Sequence, residues 1–158
     1  MEPPRRIKPA SAAEYLEVIT KAVFESGMSW SVVEGKWDGF REAFAGFDPE
    51  RVATLTPEDV DALAADPRII RNRRKIEATI HNAEAVEHLA AEHGGFDRWL
   101  ASLGDFDAKV DALKREFKFL GEFGAYYVLY VVSEDVPPHE QWLATRGAKS
   151  KARPAPTT

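Results

Sequence analysis

The densest chemistry in the sequence is cationic: Arg68, Arg71, Arg73, Arg74 and Lys75 place five bases within eight residues. They follow a break at Asp66-Pro67 and open a long helical pattern, so the charge is gathered at one end of an element rather than spread around it. A cluster of this kind suits phosphate oxygens. The competing reading pairs these bases with Asp59, Asp61, Asp66 or Glu77, as on an ordinary solvated face. A second phosphate-competent feature is the break Phe117-Lys118-Phe119-Leu120-Gly121, ahead of a helix that opens at Glu122. Backbone N–H groups at a helix start carry partial positive charge, and Gly121 permits close approach. Glu122 favours the helix dipole and repels phosphate, and a plain helical turn is the alternative. The third feature is aromatic: Trp30 follows directly on a helix break at Gly27, where a ring can face a cleft, whereas a Trp at helical spacing is commonly core. Tyr126, Tyr127 and Tyr130 are the next aromatic candidates, with core the usual place for each.

The elements that must position these groups all read as helices. Ser11-Ala12-Ala13-Glu14 has the pattern of a capping box, and the apolar spacing behind it predicts a helix from Ser11 to about Ser26, ended by Gly27. Ser29 can cap a second helix whose stripe of Trp30, Val33, Trp37, Phe40 and Phe44 runs to about Gly46. Asp48-Pro49 and Thr56-Pro57 each join a capping residue to a proline at the first helical position, which marks two short helices. From Arg71 the recurrence of Ile76, Ile80, Ala83, Val86 and Leu89 supports a long amphipathic helix ending at Gly94-Gly95. A short helix around Phe96 to Leu103, another starting at Asp107, and a last one opened by Pro137-Pro138 complete the pattern. The run from Glu122 to Val132 has β-propensity, yet the sequence holds no second strand to pair with it, so it reads as a buried helix.

The expectation is an all-α, single-domain helical bundle: a flexible segment over 1–10, the folded domain over 11–145 and a disordered basic tail over 146–158. At 158 residues the chain suffices for one well-buried core. No apolar run approaches the ~20 residues of a membrane helix, and the start of the chain lacks a secretory h-region, which predicts a soluble, cytoplasmic protein without a membrane partner. With no cysteine and four scattered histidines, no metal site and no cofactor are expected. The net charge of −5 argues against nucleic acid only as a sum, since the cationic cluster and the acidic stretch from Glu84 to Asp107 polarise the chain.

Three segments, in order, resemble the DNA-3-methyladenine glycosylase I family, of the helix-hairpin-helix DNA glycosylase type. Gly27-Met28-Ser29-Trp30 is similar to that family's Gly-Leu-Ser-Trp, and is followed by Phe47-Asp48-Pro49 with Val52-Ala53. Ile69-Ile70-Arg71-Asn72-Arg73-Arg74-Lys75-Ile76 is similar to its Ile-Ile-Arg-x-Arg-x-Lys-Ile. Phe117 to Gly121 resembles its hairpin. The likeness covers Gly27 to Gly121 and departs in two places. Where the family carries a pocket glutamate, five residues before the glycine, this chain has Ala22. The family's upstream segment of pocket aromatics and zinc ligands has no counterpart, and His139, near the place of one zinc histidine, cannot hold zinc alone.

The resemblance implies a monofunctional DNA N-glycosylase that acts in base-excision repair on alkylated purines such as 3-methyladenine, by extruding the base and hydrolysing its glycosidic bond. Its partner would be double-stranded, damaged DNA, bound by a monomer. On that reading Trp30 stacks on the base with Ser29 and Tyr126 nearby, and Arg71, Arg73, Arg74, Lys75, Lys118 and Gly121 meet the DNA backbone. Glu25, three residues after Ala22 on nearly the same helix face, is one candidate for the lost carboxylate. Glu140, 19 residues after Gly121, is the other, at the spacing where the wider superfamily places a catalytic aspartate, with His139 beside it as a proton shuttle. Two further readings stay open: a non-catalytic DNA- or lesion-binding module, favoured by Ala22, and a protein-interaction domain, favoured by the net charge and Glu122.

Overall fold

The computed structural model describes residues 4–152, with side chains as far as Thr145, and among them forms ten α-helices and no strand. Helix α1 (Ala12–Glu25) starts where its cap predicts: Ser11 is extended and its hydroxyl accepts the Glu14 N–H at 3.4 Å. The Glu14 carboxylate accepts from Ala10 N–H, so the reciprocal cap closes one residue before the standard box.

The aromatic stripe expected as one helix is two, α2 (Trp30–Gly35) and α3 (Trp37–Ala43), followed by a 3₁₀ turn at Ala45–Phe47. Two glycines explain the break. Gly35 ends α2, and an interior glycine costs about 1 kcal/mol against alanine. Gly39 of α3 lies so close to the Arg68 carbonyl that a Cβ would collide with it, so α3 restarts on the axis that this contact demands. The break turns Trp37, Phe40, Phe44 and Phe47 into a near-parallel stack, with successive ring centroids 4.9, 6.3 and 5.6 Å apart.

Short helices α4 (Pro49–Ala53) and α5 (Pro57–Ala64) carry proline at the first turn and caps at Asp48 and Thr56, as read from sequence. The long helix α6 (Arg73–His93) is capped by Asn72 and stopped by a left-handed Gly94. It runs through the centre, against α1, α4, α5 and α7 (Phe96–Ala101). Helix α8 (Phe106–Glu116) is capped by Asp105 through the Ala108 N–H at 2.9 Å, so the expected start at Asp107 is corrected: Asp107 lies in the first turn. The β-prone run is a helix, α9 (Glu122–Val131), packed on α1 and α8, and α10 (His139–Ala152) docks through buried Trp142.

Both expected ends of the domain differ. Residues 4–10 are not a free segment, because Ile7 N–H donates to Val131 O at 2.6 Å and Ser133 hydroxyl returns a bond to Ile7 O. Arg6 donates to Tyr130 O and Glu134 O, supplying a cation to the carbonyl end of α9, where the helix dipole is negative. The expected irregular tail begins as helix, since α10 continues to Ala152; residues 1–3 and 153–158 lie outside the described residues.

One buried side chain holds the hairpin between α8 and α9. Asn82 of α6 is fully buried; its Oδ1 accepts Lys118 N–H at 2.8 Å and its Nδ2 donates to Lys118 O at 3.2 Å. Removing it strands both backbone groups, so Asn82→Ala should cost about 1–3 kcal/mol in urea unfolding, with faster amide exchange confined to the hairpin. A loss under about 0.5 kcal/mol, the noise of a neutral surface change, would mean that the hairpin holds its own shape.

Candidate functional site

Three pieces of chain converge on one cleft of about 220 Å³: the C-terminal end of α1, Trp30 at the start of α2, and the hairpin with the first turns of α9. Its size suits one flat heterocycle, below the ~300–1,000 Å³ of pockets for drug-sized ligands. Small side chains make the room. Ala22 borders the cleft, and Gly124 packs beside it, where a Cβ would lie 3.8 Å from Ala22 Cβ and press to 2.8 Å from Leu120 Cδ1.

The aromatic wall is Trp30 and Tyr127, whose rings meet edge to face at 5.3 Å. Trp30 is half-buried, as its position after the α1–α2 turn predicts, and this pair also borders a larger cleft of about 930 Å³ on which Ser29 opens. The Ser29 hydroxyl faces Ser31 at 2.9 Å and does not reach the smaller cleft. Tyr126, expected to meet a base, is instead an anchor for α10: its hydroxyl donates to Pro137 O at 2.8 Å and its ring lies 4.8 Å from Trp142. Tyr127 lines the cleft with Phe123, four residues before it, whereas Tyr126 packs among Phe106, His139 and Trp142; Phe123, at the cleft mouth, also reaches Trp142 at 6.2 Å. That four-residue spacing is visible in the sequence once the helix start is placed at Glu122.

Of the two carboxylates that the sequence offers, Glu25 enters this cleft. It is 8% exposed, and its Oε1 is buried without a hydrogen-bond partner among the described residues. Burial pushes its pKa up to about 7; Lys21 pulls it down and Glu34 pushes it up further. Lys21 is itself engaged with Glu34, which limits its help to Glu25. Glu140 and His139 are exposed at the start of α10 and do not border the cleft; the His139 ring packs 4.9 Å from Tyr126.

The cationic cluster divides. Lys75 is the clear departure from expectation: it is 7% exposed, and its amine donates to Phe24 O at 3.2 Å and Ser26 O at 2.6 Å, so it is turned inward to the end of α1. Arg73 pairs with Asp61 at 2.7 Å, and Arg68 with Asp66 at 2.7 Å and Glu42 at 3.6 Å, much as the competing reading held. Asp59 serves elsewhere, in the capping box with Thr56. Arg71, Arg74 and Lys118 are exposed, and the Arg74 guanidinium sits 5.6 Å from the Phe119 ring centroid. Gly121 starts α9 without a side-chain cap. Its φ of −91° and the open space around a would-be Cβ show that neither strain nor packing requires glycine there, which leaves an unobstructed approach to the first N–H groups of α9. Sequence reasoning missed Phe119 and Phe123, which border the cleft mouth.

A helical domain in which a hairpin and two helix ends enclose rings and a carboxyl is a fold of the helix-hairpin-helix DNA glycosylase type. The chain belongs to the methyladenine glycosylase family, whose model matches residues 8–119. Over 71 residues it is 42% identical to a DNA-3-methyladenine glycosylase of Haemophilus influenzae and 44% identical to DNA-3-methyladenine glycosylase 1 of Escherichia coli. Each match takes in 45% of this chain and 37% of the relative, so the aligned part is little more than a third of the curated relatives' length. A crystal structure of 3-methyladenine DNA glycosylase I superposes with a TM-score of 0.69 at 28% identity, over 80% of this chain and 81% of that one.

Glu25 makes stability depend on pH with a defined sign. Its folded pKa of about 7 lies above the ordinary 4.5, so its contribution is full below 4.5 and is lost as pH rises through 7. Glu25→Gln should therefore shift stability in the variant's favour by up to about 3 kcal/mol between pH 4 and pH 8, read by urea unfolding at each pH. Parallel pH profiles for variant and parent would place Glu25 in contact with water.

Proposed function

We propose that this protein is a DNA N-glycosylase that hydrolyses the glycosidic bond of alkylated purines, 3-methyladenine above all, in damaged DNA, acting as a single chain. One observation carries the reading: a base-sized cleft walled by Trp30 and Tyr127 that holds the buried Glu25 oxygen, unpartnered among the described residues. The family and the names of its curated members support it.

The residues divide the work. A cationic alkylated purine stacks on the Trp30 face, where ring quadrupole and cation attract by about 2 kcal/mol once water is excluded. Ionised Glu25 accepts hydrogen bonds from the base edge and balances its charge, in the place that Ala22 leaves empty. The glycosidic electron pair departs with the base, which leaves neutral; water adds its oxygen to the sugar carbon and releases a proton. Ordinary adenine carries no charge to offset a buried carboxylate, so the same group that attracts the lesion discriminates against undamaged base. Arg71, Arg74, Lys118 and the open N–H groups after Gly121 meet the phosphates.

A second reading, a lesion-binding module without turnover, is favoured by Ala22 in the place of the family glutamate. Measurement of 3-methyladenine released from methylated DNA separates the two. The parent should release the base with a rate that rises with pH as Glu25 ionises through about 7, and less steeply above it. Glu25→Gln should lower the rate at pH 8 by about 10²-fold or more and flatten the profile. Trp30→Ala should cost about 1–3 kcal/mol of affinity for DNA holding the lesion. No release by the folded parent, with lesion affinity retained, supports the binding module; undiminished release by Glu25→Gln overturns the role given to that carboxyl.

A further inference from the structure

We infer that Lys75 is a positioning residue for the reaction: its ammonium ties down the end of α1 and so holds the Glu25 carboxyl in the cleft. The inference rests on the glycosylase reading for what that carboxyl does to a base; where the carboxyl stands is independent of that reading.

Lys75 belongs to the cationic cluster, yet at 7% exposure it is too buried to meet a phosphate. Its register on α6 is shared by Ile76, Ala78, Thr79 and Asn82, which are buried with it. A buried ammonium is costly unless it is bonded. The Lys75 amine donates to Phe24 O at 3.2 Å and to Ser26 O at 2.6 Å, the carbonyls on either side of Glu25. A helix end leaves such carbonyls without partners inside the helix and gathers partial negative charge on them, so the tie acts where α1 would otherwise fray.

Glu25 is the group that this tie places. It is the last residue of α1, 8% exposed, with Oε1 buried and unpartnered among the described residues. Burial raises its pKa to about 7, so the ionised carboxyl would gain hydration by leaving the cleft. The charges that act on it are Lys21, one turn back on α1, which lowers its pKa, and Glu34 of α2, which raises it; Glu122 and Tyr127 of α9 border the same cleft. Lys21 is drawn to Glu34. The hold on Glu25 is on its backbone: Lys75 fixes the two flanking carbonyls, and Met28 N–H donates to Glu25 O at 3.0 Å. A carboxyl that projects from a backbone fixed on both sides keeps its place as it ionises.

The test follows the Glu25 carboxyl carbon by NMR between pH 4 and pH 9 in the full chain, with Glu25→Gln to assign the signal. Base release from methylated DNA and binding of a duplex with an abasic analogue are measured beside it. The parent midpoint is expected at about 7. Lys75→Met, which keeps the stem and removes the donors, should lower it by about one unit or more, with the Ser26 and Met28 amides exchanging about tenfold faster. At saturating DNA, base release at pH 8 should fall about tenfold and its pH profile should move down with the carboxyl, while duplex affinity and its salt dependence stay as in the parent. Lys75→Arg, which keeps charge and donors, should return the midpoint toward that of the parent. Where Lys75→Met does not fold, Lys75→Gln, with an amide donor on a shorter stem, takes its place and should shift the midpoint in the same direction. Leu100→Ala truncates a core residue of α7 that does not border the cleft, and should lower stability without moving the midpoint.

An unchanged midpoint in a folded Lys75 variant overturns the inference. Weaker duplex binding with a salt slope smaller by about 0.9 also overturns it, as the mark of a phosphate contact. So does an equal shift in Leu100→Ala, the mark of general loosening. A shifted midpoint in Lys75→Met, with no base release by the parent, sinks the glycosylase reading and leaves the tie in place.

Discussion

A helix that buries a lysine and an asparagine must find each of them partners, and on α6 both sets of partners are backbone groups, at a helix end and in a hairpin. Lys75 and Asn82 lie seven residues apart, two turns along one face. Lys75 bonds the carbonyls of Phe24 and Ser26, at the end of α1, where the partial negative charge of the helix favours an ammonium. Asn82 bonds both backbone groups of Lys118 in the hairpin. Burial lowers the pKa of Lys75, and desolvation of an unpaired amine is costly, so the two carbonyls stabilise a charge that the core would otherwise exclude. One rigid helix thus sets the distance between the loops that enclose the cleft.

Glu25 sits between the two carbonyls that Lys75 holds, and this accounts for its strained chemistry. Its backbone is committed to the end of α1, where Glu25 O accepts Met28 N–H at 3.0 Å. It is left in a cleft with rings on one side and the small residues Ala22 and Gly124 on another. Burial in the cleft thus sets the ionisation of this carboxyl near pH 7, so its charge changes within the physiological range.

The far end of the bundle does different work. Arg6 and Ile7 strap the carbonyl end of α9, and Trp142 of α10 packs 4.8 Å from Tyr126 and 6.2 Å from Phe123, so α9 is held along its length while its first N–H groups carry no side-chain cap. Apolar packing and satisfied carbonyls occupy the end near Val131; the uncapped N–H groups, Gly121, Phe123 and Tyr127 occupy the end that meets the cleft.

Local chemistry was enough to read most of the helices, because caps, prolines and apolar periods act within a few residues: Ser11, Asp48, Thr56 and Gly94 all end or start helices as their types dictate. The family was legible too, since its segments are contiguous. The placing of Glu25 in the cleft followed from its helix register beside Ala22, which is again local. What tertiary structure alone decided was which way polar and aromatic groups face across elements. Lys75 belongs to the most basic stretch of the chain, and only the approach of the end of α1 turns it from a surface cation into a buried tie. Tyr126 and Tyr127 are adjacent and alike, and the docking of α10 on one side and of α1 on the other assigns the first to structure and the second to the cleft. The break of the aromatic stripe at Gly35 has the same origin, the close approach of Gly39 to a carbonyl twenty-nine residues away. Periodicity specifies the face of a helix, and the neighbour that covers the face is set by contacts between residues far apart in the chain.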